Sequence, residues 1–276
     1  MQNVPGHFTK DMSSWRRIAP IVWGRPGDPS IYGIMDVDIT NAVPYLKRVE
    51  VATGTKLTLT HLVTRAVAIT FRRHPECNAY VRWGRIYQRR DVDLFLMVAT
   101  DTENTKQSAD LTGVRLSNAD NHSLVSIAQE LQRRASAVKA GNDTEIGPLK
   151  NLLRVLPRPL ARFGLKATSW LQYGLNLNLS RFGIARDTYG GVIISSMGMF
   201  GIKYGFAPLV PAMRLSCLIG VGRAEERAVV VDGKVVVRTI LPLTATLDHR
   251  VIDGFHAGKL AATLTSVLAD PGGHGL

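Results

Sequence analysis

Cysteine is nearly absent from this 276-residue chain, with Cys77 and Cys217 the only two, 140 positions apart. A disulfide scaffold and a CxxC zinc or redox site are therefore both excluded. The histidines show no metal-ligand spacing, so no metal is expected. No run of 18 uncharged apolar residues occurs, so an ordinary membrane-spanning helix is not expected either. The opening MQNVPGHFTKDMSSWRR lacks the apolar core of a secretory leader, which makes the cytoplasm the expected location. Internal repeats and low-complexity linkers are missing too. Acidic residues are scarce, 22 against 34 Lys and Arg, which leaves a net charge of +12 and a pI near 10.0. An anionic partner is expected. Aromatic residues make up only 7% of the chain and are not interleaved with the basic ones, so a nucleic-acid-reading module is not expected.

Hydrophobic residues reach 45%, and a chain of this length buries roughly 70–75% of its unfolded surface without covalent staples. Residues 32–38 alternate as a strand, with Thr40 as a candidate cap for a helix through Leu46. Leu62, Ala66, Ala68 and Ile69 share a helical face within Leu59–Arg73, which His74-Pro75 stops. Strands flank Trp83-Gly84-Arg85, a buried strand covers 92–100, and a helix runs from His122 to Ala140. Residues 191–197 and 215–221 have strand length, and Asp232-Gly233 between valine runs marks a hairpin across 228–238. A strand over 241–247, a helix from Phe255 to Leu268 and a disordered tail over 269–276 complete the pattern. Helices interleaved with strands without regular βαβ alternation predict a single α/β sandwich domain.

The sharpest feature is Asp248-His249-Arg250-Val251-Ile252-Asp253-Gly254, directly after an apolar strand. A histidine at a strand end, with an ordinary pKa of about 6.5, is placed and poised to act as a general base. Asp248–Gly254 resembles the DHRxxDG signature of the catalytic domain of dihydrolipoamide acyltransferases, the core subunits of 2-oxoacid dehydrogenase complexes. His249–His256 is similar to the HHxxxDGFH segment of chloramphenicol acetyltransferase, of the same superfamily. Gly190–Gly198 resembles GGxFTISNLG, and Phe206-Ala207-Pro208 and Leu218–Gly222 follow at about the family's spacing. Leu57–Asn78 resembles the helix ending in HPxxN, while Asp11–Arg17 and Val37-Asp38-Ile39-Thr40 resemble the opening of the chloramphenicol enzyme.

The resemblance implies a two-layer sandwich of the chloramphenicol acetyltransferase type, a mixed β-sheet with flanking helices. It further implies a trimer with active sites between subunits, and coenzyme A or acyl-coenzyme A as a substrate. His249 matches the base and Ser195 the oxyanion donor. Ser196 is the alternative if the register slips by one, and is also a candidate coenzyme A contact. Asp253 matches an acid that braces the site through an ion pair, with Arg17 as the partner and Arg16 the second choice. Arg250 is carried as a coenzyme A contact and as support for the turn, and His256 as a packing residue at the helix start. In the family, trimers assemble further into cubic or icosahedral shells.

Three departures qualify this picture. The catalytic region starts near Met1, so a lipoyl-bearing domain and a peripheral-subunit-binding domain are not expected, and a lipoyl group would come from a partner protein in trans. Residues 103–114 (ENTKQSADLTGV) are polar where the family reads GLVVPV, which puts lipoamide specificity in question. Residues 146–186 read as an insertion with no acid and seven basic residues: Lys150, Arg154, Arg158, Arg162, Lys166, Arg181 and Arg186. This insertion is expected to form a basic amphipathic helix or helical hairpin interrupted near Pro157 and Pro159. An anionic membrane, an acyl chain at a channel mouth, or plain packing are its candidate contacts. The expected activity is acyl transfer between coenzyme A and a small acceptor; the alternative is a shell-forming scaffold with little or no turnover.

Overall fold

The computed structural model describes residues 3–9, 13, 28–100, 110–139, 157–182 and 184–276. Its frame is a mixed sheet running β2(Ser30–Asp38), β10(Lys234–Asp248), β8(Cys217–Val221), β7(Val192–Ser196), β5(Leu94–Thr100), β6(Asp110–Leu116), with β9(Glu225–Val231) paired to the free half of β10. Only β5–β7 and β7–β8 are parallel; the other pairs are antiparallel. A small antiparallel sheet joins β1(Gly6–Phe8), β4(Arg85–Arg89) and β3(Ala79–Arg82).

Helices cover one face of the large sheet. They are α1(Ala42–Thr53), α2(Leu59–Arg73), α3(Leu124–Lys139) and α5(Gly254–Ala269); α4(Arg158–Ser169) belongs to the inserted stretch. The main core lies between this layer and the sheet, where Leu62, Phe71, Leu94, Ile194, Leu241, Ile252 and Val267 are at most 2% exposed. Full burial of such side chains stabilises by about 1.5–3 kcal/mol each. Helix α2 is begun by Thr58, whose hydroxyl accepts from His61 N at 3.3 Å while its own N–H donates to His61 Nδ1 at 3.3 Å. A histidine thus fills the usual Glu or Gln place of a capping box. Burial depresses the pKa of His61.

Three expectations are corrected. Thr40 does not cap α1: Asn41 precedes the helix without a side-chain bond, and the Thr40 hydroxyl accepts from Thr239 N at 3.0 Å, tying β2 to β10. The strands expected at 228–238 and 241–247 become a hairpin whose second arm is one 15-residue strand, because Thr239 and Ile240 extend without a breaker. The tail is not a disordered end: Pro271 is buried, Leu276 packs on the core and its carbonyl accepts from the Tyr45 hydroxyl. Cys77 and Cys217 are both buried and not joined in a disulfide.

Candidate active site

β10 delivers the catalytic candidates. As the strand ends, Asp248 N donates to Ser216 O at 3.0 Å and His249 N to Pro29 O at 2.8 Å. The chain then folds back, with Val251 N and Ile252 N both donating to Asp248 O at 2.9 and 2.8 Å. Arg250 forks onto Asp248, Nε to Oδ1 at 2.9 Å and a terminal nitrogen to Oδ2 at 2.7 Å. That pairing holds the turn and neutralises Arg250, so the cation carried forward as a coenzyme A contact is committed to Asp248. Val251 and Ile252 are buried beneath it at 2% and 0% exposure, which anchors the loop to the core.

His249 is half-buried, and its Nδ1 lies 3.1 Å from Ile252 O. A carbonyl only accepts, so Nδ1 carries the proton and, in the neutral ring, Nε2 carries the lone pair. The turn therefore fixes the tautomer of the ring and leaves Nε2 able to accept a proton. Asp253 caps α5 through His256 N at 3.0 Å, and its Oδ1 also meets His256 Nδ1 at 2.5 Å. His256 is 8% exposed and sits at the helix start. Arg17 and Arg16 lie outside the described residues, as do 146–156 and most of 103–114.

Ser195 sits near the end of β7, half-buried, opposite Met97 of β5 and Gly220 of β8. Ile194 points into the main core, so Ser195 lies on the other face with the small cluster of Phe95, Ile193, Leu215 and Leu218. Gly220 keeps this spot open: a Cβ there would stand 2.1 Å from Met197 Cε and 2.4 Å from Thr244 Oγ1, so those side chains would have to shift. Ser196 pairs with Val221 and turns to the opposite face.

His249 and Ser195 of one chain are not neighbours. Ser195 aligns with Gly220 and Gly220 with Thr244, while His249 lies five residues beyond Thr244 on the antiparallel β10. Strand geometry puts the two about 16 Å apart along the strands and about 10 Å across them. The Ser195 face is also uncovered at its edge, with Tyr32 56%, Ile34 58% and Phe206 43% exposed, and with the Tyr32 and Phe206 rings in contact at 5.2 Å.

The family description "2-oxoacid dehydrogenases acyltransferase (catalytic domain)" matches residues 27–145 and 185–275. The chain belongs to this acyltransferase family. It is 26% identical over 241 residues to the dihydrolipoyllysine-residue acetyltransferase component of the acetoin cleaving system of Bacillus subtilis, covering 86% of this chain and 48% of that protein. It thus spans about half the length of the curated relatives that it matches along most of its own. The cubic core of a pyruvate dehydrogenase multienzyme complex superposes with a TM-score of 0.64 at 21% identity, covering 95% of this chain and 91% of that one. A chloramphenicol acetyltransferase superposes at 0.53 with 14% identity, covering 96% and 100%. The α/β sandwich of the chloramphenicol acetyltransferase type, with its mixed sheet and flanking helices, is the fold.

Sequence reasoning missed what holds the stretch around 157–187. Arg89, 3% exposed, pairs with Asp187 through Nε at 3.0 Å, and the Tyr173 hydroxyl donates to Asp187 at 2.9 Å. Burial alone would lower the Arg89 pKa; the Asp187 carboxylate outweighs it, and the pKa lies above its ordinary value. Burial, with Asp187 beside it, pushes the Tyr173 phenol well up. No sequence pattern joins residues 98 positions apart. No cluster of His, Cys, Asp or Glu among the described residues has metal-ligating geometry.

Proposed function

We propose that this protein is a coenzyme A-dependent acyltransferase. It moves an acyl group between coenzyme A and a thiol of the dihydrolipoyl kind, or another small acceptor, in a site shared between subunits of a homotrimer. The observation that carries the reading is the Nδ1 bond of His249 to Ile252 O, which presents Nε2 as a base at a rigid strand end. In thiolysis, Nε2 takes the thiol proton as sulfur attacks the thioester carbonyl. The oxyanion accepts a hydrogen bond from Ser195 of the partner subunit, and collapse expels the second thiolate, which regains the proton from the His249 imidazolium. The intrachain separation of base and serine, together with the uncovered face at Tyr32, Ile34 and Phe206, favours the interface site over one within a single chain.

Asp253, through its cap of α5 and a bond to Arg17, braces the turn in this reading. The lipoyl group comes in trans from a partner protein, the trimers build a cubic or icosahedral shell, and the location is cytoplasmic. Release of thiol from acyl-coenzyme A with dihydrolipoamide as acceptor tests it. Wild type turns over, and His249→Ala loses about 10²–10⁴-fold. Equal rates in the two would refute the mechanism, and a chain that binds coenzyme A without turnover would be the scaffold instead.

A second reading, contact with an anionic membrane, draws on Leu160, Phe163 and Phe182, which are 53%, 69% and 79% exposed in a basic segment. Sedimentation with anionic but not neutral liposomes would support it. No described helix is long and apolar enough to cross a membrane.

A further inference from the structure

Between the large sheet and the helix layer, the main core holds a cavity of about 280 Å³. Leu243, Ala245 and Leu247 of β10 line one wall with Gly33 of β2, and Cys217 and Ile219 of β8 continue it. Val67 and Phe71 of α2 line the other wall with Ala257, Ala261 and Leu264 of α5. Ile219, Leu243 and Leu247 belong to the main core, whereas Ser195 lies on the other face of the sheet. The sheet thus separates this cavity from the serine.

Its lining is apolar throughout. Among the described residues no charged side chain lines it, and both lining hydroxyls are engaged. Thr70 Oγ1 donates to Ala66 O at 2.8 Å and Thr244 Oγ1 to Gly205 O at 2.6 Å. Burial, with Cys77 beside it, pushes the Cys217 thiol up, which keeps it neutral. Water needs two to four polar partners and finds none free here, whereas a hydrocarbon gains contacts from every wall. Two glycines stand at the mouth, Gly33 in the interior of β2 and the exposed Gly258 in the first half of α5. Neither has a positive φ, so backbone conformation does not call for glycine at either place, and glycine weakens both strand and helix interiors. A Cβ at either position would meet nothing within 4 Å. The opening therefore comes from two absent side chains that the backbone could carry without strain.

We propose that this cavity binds one straight aliphatic chain of roughly ten carbons, with an uncharged polar end left at the Gly33–Gly258 mouth. The length follows from the volume, since an apolar cavity of about 150 Å³ already takes benzene. The shape follows from the lining. It runs from Leu243 to Leu247 along β10, about 13 Å, and from Ala257 to Leu264 along α5, about 10 Å. A cavity of this volume and length is narrow, which suits a chain better than a compact ring system. The uncharged end follows from the lack of a charged lining group to pair with an ionised one.

Calorimetry on the full chain with the straight-chain alcohols from hexan-1-ol to dodecan-1-ol tests the site. One molecule binds per chain, each added methylene tightens binding about fourfold, and the gain stops near decan-1-ol, where the cavity is full. Adamantan-1-ol, with the same carbon count in a compact cage, binds at least tenfold more weakly than decan-1-ol. Gly33→Val and Gly258→Leu each fill part of the cavity and weaken decan-1-ol about tenfold. Both substitutions place a Cβ in open space, so each variant keeps the fold with a melting temperature no lower than wild type. They lie on different elements, and either one decides the question if the other fails to fold. No binding by wild type, tightening that continues unchanged to dodecan-1-ol, equal affinity for the cage alcohol, or unchanged affinity in the folded glycine variants overturns the proposal. The titration does not read acyl transfer, so its outcome holds whether or not the chain turns over acyl-coenzyme A.

Discussion

The turn that carries His249 and the stretch from 157 to 187 are held by opposite kinds of contact. In the turn, Arg250 bonds Asp248 two residues away, and His249 and His256 find their partners within three. In the other region, Gln172 reaches Asn3 across 169 positions, Arg82 reaches Gly174 across 92, and Arg89 reaches Asp187 across 98. The turn lies inside the family match and the α4 segment outside it. The geometry around His249 is thus written locally, while the placement of the added segment depends on partners that only the folded chain brings together.

That contrast can be broken from either side. His249→Ala should remove activity by about 10²–10⁴-fold with the melting temperature unchanged, since His249 is half-buried and the turn is held by Asp248 and Ile252. A large loss of stability would mean that the histidine belongs to the scaffold. Asp187→Asn should do the reverse. Removing one partner of a buried ion pair costs about 3–5 kcal/mol, and the Asn amide leaves a single acceptor oxygen for Arg89 and the Tyr173 hydroxyl, which bond Asp187 through different oxygens. Urea unfolding that shows a loss below about 1 kcal/mol would leave the anchor unsupported.

Ser195→Ala comes next, with an expected cost near 2.7–4 kcal/mol of barrier and little change in KM. Mixed trimers of His249→Ala and Ser195→Ala chains sharpen it: a shared site regains part of the activity, and a site within one chain regains none. Asp253 ranks below these. Asp253→Ala removes the cap of α5 and should cost about 0.5–2 kcal/mol of stability, whereas Asp253→Asn keeps the cap. If the Asn variant also keeps full activity, the charge of Asp253 has no bracing role.

How much of this was legible follows from the same distinction. The strands, α2, α3, α5 and the Asp232-Gly233 hairpin are readable because period and turn chemistry are local. The His249 turn is readable for the same reason, and its resemblance to the acyltransferase signature adds the role proposed for it. Thr40 was misread because its hydroxyl serves β10 rather than the helix beside it. Nothing in the sequence announces Arg89–Asp187, or Arg214 in its left-handed conformation, since each depends on neighbours from distant elements.

Glu130 on α3 gives the smallest effect and the clearest counterpart to Arg89–Asp187. Its partners Arg133 and Arg134 lie three and four residues on, a spacing visible in any helical reading. A hydrogen bond from Arg133, then one from Arg134, holds its carboxyl down to about 2. A depressed carboxylate stabilises the fold fully above its unfolded value of 4.5 and loses that contribution as pH falls through about 2. Because the side chains lie near solvent, the Arg134 pair should contribute only about 0.3–0.5 kcal/mol. Glu130→Gln should therefore lower the melting temperature slightly at pH 7, with the gap from wild type closing between pH 4.5 and 2. Added salt should shrink this gap and leave the Asp187→Asn deficit nearly intact, because only the exposed pair is open to screening. Equal salt sensitivity in the two variants would show that the Arg89–Asp187 pair is hydrated rather than buried, and would remove the difference between the two regions.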